Sequence, residues 1–237
     1  MPHDLEAPCG DDADWSPLYR ARGDEVVPHR PVFTGDVFEK VVIQYPDGST
    51  KRKNVIIVQH PCAMRSNGVD LVSRLLVAEV RNHRVISPGE WTGFGKNIPL
   101  PDLVPTVETG RRNQAGFFDE LHLVGPHTLQ DRIACLSQLG VNLLLQRWIH
   151  HNSRVVVPTF TLNEVTSGVF EEADLIEEWC EDRTTAGQTV EQATKECVTW
   201  LREDGGGGVM RQRMLEDPQS RSGVRKQMRV ALRALPG

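Results

Sequence analysis

The chain has 237 residues, 39% hydrophobic and 25% charged, a balance that supports a buried core and excludes a fibrous or wholly disordered chain. A formal net charge of −5 excludes a surface coated throughout for nucleic acid, and no apolar run approaches the ~20 residues of a membrane span. Five cysteines without a CxxC pair argue against a disulfide scaffold or a standard zinc site. Reduced thiols, a cytoplasmic setting and no cofactor are the expectation. The acidic opening MPHDLEAPCGDDAD lacks the apolar h-region of a signal peptide.

Residues 1–31 carry five prolines and read as a disordered or wrapping arm, which Trp15, Leu18 and Tyr19 can pin to a surface. A strand-like stretch follows Gly35-Asp36. Val37, Glu39, Val41 and Ile43 share one face and Phe38, Lys40, Val42 and Gln44 the other, though the alternation is not clean. Pro46-Asp47-Gly48-Ser49 is a turn, because proline presets φ and aspartate and glycine tolerate the bend. Thr50-Lys51-Arg52-Lys53 then leads into Val55–Gln59, a short β-branched run that reads as a buried strand, so the two strands form a hairpin. Pro61 cannot continue a central ladder and ends the run.

Ser66-Asn67-Gly68 is a turn, and Ser73–Arg81 is a strand of apolar character. Pro88, Gly89, Gly93, Gly95, Pro99 and Pro101 make Ile86–Leu103 an irregular loop, with Trp91 and Phe94 packed on the core. Phe117–Val124 reads as a further strand, ended by Gly125-Pro126. After the short apolar run Asp131–Ser137 the period changes. Leu139, Leu143, Leu144 and Trp148 recur at helical spacing, so GVNLLLQRWIHH reads as an amphipathic helix stopped by Asn152-Ser153. His150-His151 fall near its C-terminal end, where the macrodipole favours them. Arg147, Arg154 and Arg111-Arg112 are candidates for an extended positive surface. Arg154–Leu162, with Pro158, reads as an edge strand or the end of one.

From Ser167 the character shifts to two helical segments, Val169–Asp182 and Thr189–Arg202. Asn163–Asp204 holds twelve Asp or Glu against Arg183, Lys195 and Arg202. Gly205–Gly208 reads as a flexible hinge. The tail Val209–Gly237 is basic, and Val224, Met228, Leu232 and Leu235 lie on one face of an amphipathic helix. That helix either folds back on the acidic helices or the core, or detaches to bind a partner or a nucleic-acid backbone. With no aromatic residue in Val209–Gly237, it cannot stack on bases.

The strongest site candidate is the end of the Val55–Gln59 strand, where His60, Cys62 and Arg65 bring a base, a thiol and a guanidinium to one loop. The plain alternative makes Cys62 a buried hydrophobe, His60 a satisfied loop residue and Arg65 an ion-pair partner. An activated thiol at Cys62, paired with His122, His127 or His150, has no recognisable signature around it. A metal set of His60 and Cys62 with His122 or His127 has no established zinc spacing.

The order strand, turn, strand, strand, long loop, strand, helix resembles the PemK/MazF family of small SH3-like barrels over roughly residues 33–165. Gly35-Asp36-Val37 and Lys53-Asn54-Val55-Ile56-Ile57-Val58 carry the resemblance, the second standing where that family has RPxVVLS. Lys53-Asn54 replace its Arg-Pro, and Gln59-His60 follow the strand where it has serine. The fold expected is α+β: a small antiparallel SH3-like β-barrel with a packed helix over 32–165, then an acidic helical segment over 166–204, the hinge, and the basic helix over 209–237. Toxins of the family are metal-independent endoribonucleases that use the RNA's own 2′-hydroxyl and leave a cyclic phosphate. The resemblance therefore implies an RNA-binding or endoribonuclease protein in a toxin–antitoxin or phage-conflict setting, with Arg52 and Lys53 at the scissile phosphate. Such chemistry needs a base that titrates near neutrality and a cation at the phosphate, so His60 is the expected acid–base group and Arg65 the charge stabiliser, with Cys62 beside the substrate. The alternative is a non-catalytic barrel that docks a protein partner through its C-terminal helices. A homodimer is compatible with either.

Overall fold

The computed structural model describes residues 4–8, 14–66, 70–104 and 113–235. Cys9, Asn67-Gly68 and Arg111-Arg112, singled out in the sequence, lie outside them. The chain divides into two compact units, the first built from residues up to Val26, Phe33–Ser66 and Asp70–Asn163, the second from Val27–Val32 and Glu164 onward, with a few further residues.

The first unit is an antiparallel sheet of seven strands: β1 (Tyr19–Arg22), β2 (Asp36–Gln44), β3 (Thr50–Ile57), β4 (Leu75–Asn82), β5 (Asn97–Leu100), β6 (Gln114–Val124) and β7 (Asp131–Leu136). Their order is β1-β7-β2-β3-β4-β6-β5. The α+β class is as expected, but the sheet is not closed as a barrel. Its ends, β1 and β5, have four residues each and pair only with β7 and β6 among the described residues.

The β2–β3 hairpin forms where the turn chemistry lies. Gly48 takes φ +83°, and the Asp47 carboxylate accepts from the Ser49 N–H (2.9 Å) and hydroxyl (2.7 Å). The imperfect alternation of β2 has a cause: the register shifts between Phe38 and Val41, where Lys40 sits at φ +56°. A second shift, between Ala78 and Glu79 of β4, puts Leu121 opposite Ala78 but Phe117 opposite Glu79.

Of the two readings of the arm, the wrapping one fits where it is described: Leu18 is fully buried, Trp15 stacks on Trp91 at 5.7 Å, and Tyr19–Arg22 becomes β1. Two other readings change. Within the 86–103 loop, Asn97–Leu100 is an edge strand, because the missing N–H of Pro99 is tolerated at a sheet edge. Arg154–Leu162 is not a strand. Arg154 closes the preceding helix in the left-handed region (φ +61°), and Pro158 stands just before the next one, where no helical N–H is lost.

Helix α1 (Gln138–Ser153) starts at Ser137, whose hydroxyl accepts from the Gly140 N–H at 3.1 Å. It buries Val141, Leu143, Leu144 and Leu145, together with Arg147. Arg147 is therefore no part of a positive surface. It donates to the carbonyls of Glu6 (2.6 Å) and Trp91 (3.1 Å) and lies 4.8 Å from the Trp91 ring centre.

Helix α2 (Thr159–Thr185) begins in the first unit, where the Glu6 carboxylate accepts the Thr159 N–H at 2.9 Å. From Glu164 it belongs to the second unit, with α3 (Val190–Arg202), β8 (Asp204–Gly206), β9 (Val209–Met210), α4 (Arg211–Met214) and α5 (Pro218–Ala234). The core of that unit holds Leu175, Trp179, Cys180, Cys197, Leu201, Val224 and Met228. The glycine run is a tight hairpin rather than a loose hinge. Gly206, Gly207 and Gly208 take positive φ, and the Asp204 carboxylate accepts the N–H groups of Gly206 (2.8 Å) and Gly208 (3.1 Å). Helix α5 folds back on α2: Arg225 pairs with Glu171 (2.5 Å) and Glu178 (3.1 Å), and Val224 and Met228 are buried. No helix among the described residues is long and apolar enough to cross a membrane.

Candidate functional site

The first unit places a buried carboxylate in the middle of its sheet. Glu79 lies in β4 opposite Val55 of β3, within the run LLVAEV, and its side chain is 1% exposed. Strand alternation puts it on the face shared by Lys53 and Lys51. A charge so buried needs partners. Lys53 Nζ reaches its Oε2 at 2.6 Å, and the Tyr45 hydroxyl donates to its Oε1 at 2.7 Å. His122 Nε2 lies 2.9 Å from the same Oε1.

The partners arrive from separate segments. Tyr45 follows β2 in the hairpin turn, Lys53 sits diagonally across on β3, and His122 lies on β6 opposite Val77. Burial by itself raises the Glu79 carboxyl; the hydrogen bonds from Lys53, Tyr45 and His122 outweigh it and hold the group below its ordinary value. The bond to Glu79 lifts the Lys53 ammonium and the Tyr45 phenol above theirs.

An ionised carboxylate only accepts, so its bond to His122 fixes a proton on Nε2. In the neutral imidazole the lone pair then lies on Nδ1. A carboxylate that fixes the tautomer of a histidine is the arrangement that orients a general base. The Tyr45 ring meets His122 edge-on at 5.4 Å, and the imidazole keeps 16% of its surface exposed. The same sheet face carries two cations. Lys51 is exposed, with Nζ 5.1 Å from the Tyr45 ring centre, and Arg81, two residues after Glu79, lies 4.2 Å above the Phe117 ring.

The sequence candidates are split between two places. Lys53 joins the cluster, as a partner of Glu79. Arg52, opposite Val42, is exposed on the other face by strand alternation. His60, Cys62 and Arg65 lie past the opposite end of β3; Lys53 to Ile57 alone spans roughly 13 Å of extended chain. His60 caps the 3-10 turn Pro61–Ala63, its Nδ1 accepting the Cys62 N–H at 3.3 Å. Burial pushes its imidazole below the ordinary value of 6.5. Cys62 is an exposed free thiol, and Arg65 is half-buried and bridged through its backbone to Leu71. His122, one of the thiol partners considered for Cys62, pairs with Glu79.

Glu79 was legible as the one charge in an otherwise apolar strand core, where burial demands a partner. From the sequence, His122 is only a thiol partner for Cys62 or a metal ligand beside His60 and Cys62, with nothing to link it to Glu79. Among the described residues, no three His, Cys, Asp or Glu side chains group as a metal site. In comparisons with known proteins, the chain matches no family model and no curated protein.

Proposed function

We propose that the first unit binds RNA and cleaves it without a metal, in the manner of the PemK/MazF-like proteins that its sequence resembles, with His122 as the acid–base group. The SH3-type kinship of the sheet and a toxin or phage-conflict setting belong to the same proposal. The observation that carries it is the Glu79–His122 pair, a base oriented by a buried carboxylate, on the sheet face that also carries the exposed Lys51 and Arg81.

In this reading His122 Nδ1 takes the proton of the 2′-hydroxyl. The 2′-oxygen attacks phosphorus, the bond from phosphorus to the 5′-oxygen breaks, and the leaving oxygen takes a proton from water. The products are a 2′,3′-cyclic phosphate and a 5′-hydroxyl. Lys51 and Arg81 neutralise the charge that gathers on the phosphoryl oxygens. The role first expected of His60 passes to His122, because His60 caps its own turn at the far end of β3. The alternative, docking of a protein through the C-terminal helices, has less support: Arg225, Val224 and Met228 of α5 are already engaged by their own unit.

The test is incubation of the chain with mixed RNA in EDTA, with the ends of the fragments analysed. Cyclic-phosphate ends that vanish in His122→Ala and persist in His60→Ala and Arg65→Ala are the expected result. Equal cleavage by wild type and His122→Ala, or no cleavage at all, would overturn the assignment.

A further inference from the structure

We infer that the sheet face running from Glu79 along β4 carries a base-stacking track for single-stranded nucleic acid, formed by Arg81, His83, Phe94 and Phe117. It deepens the RNA reading above by naming the form of strand the site receives. Glu79 and Arg81 alternate on β4, and His83, just past its end, reaches the same face through Phe117, which pairs with Glu79; Glu79 and His83 are about 13 Å apart along the chain. The His83 N–H still pairs with the Asn113 carbonyl at 3.0 Å, so its position is set by the sheet.

Across that face the rings form a continuous group. His83 lies 5.5 Å from Phe94, near-perpendicular at 78°, and 6.1 Å from Phe117. Guanidinium groups cover the outer faces: Arg81 lies 4.2 Å above Phe117 and Arg84 5.7 Å above Phe94. None of the three rings is fully buried, and Arg81 and Arg84 are 45% and 59% exposed. A core would bury these rings, and a plain solvated surface would not gather three of them. A plane of guanidinium on an aromatic ring is a stack that an unpaired base extends, and every base has a face to offer it.

The same arginines reach phosphate. Arg81 is held by Glu120 only at 3.5 Å, an exposed contact of the kind that contributes little, so a phosphate displaces it readily. Arg84 is anchored by Glu90 at 2.6 Å and serves chiefly as a stacking plane. A duplex hides its base faces and cannot use this surface.

The track is tested by fluorescence anisotropy with dT12, which has no 2′-hydroxyl and cannot be cleaved by the proposed route, alongside rU12 and a 12-base-pair duplex. The wild type is expected to bind both single strands better than the duplex. His83→Ala and Phe94→Ala are expected to weaken dT12 binding roughly 10- to 100-fold. His83→Phe and Phe94→Trp, which keep a ring, are expected to retain it, separating stacking from a loss of folding. Wild-type affinity in both alanine variants, equal binding of the duplex, or no binding of dT12 would each overturn the track. RNA cleavage that depends on His122 stands or fails separately, so the two conclusions are distinguishable.

Discussion

His122 and Glu79 sit on neighbouring strands but are not opposite one another: Val77 faces His122, Phe117 faces Glu79, and the register shift between Ala78 and Glu79 separates the two pairings. Their side chains nonetheless meet at 2.9 Å. The irregularity in β6 lets a histidine beside exposed Leu121 and Leu123 reach a carboxylate in the sheet interior.

Glu79→Gln keeps the size of the side chain but removes its charge, and an amide that can accept from or donate to Nε2 no longer fixes the His122 tautomer. RNA cleavage should fall at least tenfold, with dT12 binding little changed. Glu79→Ala also strands Lys53 and the Tyr45 hydroxyl and should lower stability by about 2–4 kcal/mol in urea melts.

Acid should weaken the first unit through the same carboxyl. The Glu79 value is depressed in the fold, so its stabilisation is present above the unfolded value of 4.5 and is lost as pH falls through the folded value. His60 acts at higher pH: with its imidazole depressed by burial, stability declines once pH drops below the unfolded 6.5 and levels off below the folded value. Urea midpoints measured from pH 7.5 to 3 should lose the upper part of this decline in His60→Gln and the lower part in Glu79→Gln.

Gly140 is required for a close approach. A Cβ there would lie 2.3 Å from the Leu18 carbonyl oxygen, which is backbone and cannot swing aside. Gly140→Ala should cost about 1–3 kcal/mol and loosen the Ser16–Arg22 segment. Limited proteolysis should cut that segment earlier than in wild type.

The C-terminal helix should behave as packed structure. Met228→Ala removes a fully buried side chain and should destabilise the second unit by about 2–5 kcal/mol. Arg229→Ala loses only an exposed contact to Glu178 at 3.7 Å and should change stability by less than about 0.5 kcal/mol. Equal and small effects in thermal melts would mean that α5 is detachable after all.

Much of the fold could be read locally. The β2–β3 hairpin follows from Pro46-Asp47-Gly48-Ser49, and α1, α3 and α5 follow from apolar residues at helical spacing. The misread segments turned on the meaning of a proline. Pro158 precedes a helix, and Pro99 sits on a sheet edge. The polar arm orders because Leu18 and Trp15 find burial against residues far along the chain.

The site was half legible. Lys53 was picked out as a phosphate contact and proved to be the counter-charge of Glu79, while His60 was favoured over His122 because it lies close to Cys62 and Arg65 in the chain. By itself the sequence determined the α+β class, the hairpin, the helical character of the C-terminal part and its opposed charges, since turn chemistry, periodicity and charge act over a few residues. Only the tertiary structure decided which imidazole meets a carboxylate. Lys53, Glu79 and His122 come from three strands and Tyr45 from the hairpin turn, and strand order and register, including the two shifts, set which side chains share a face.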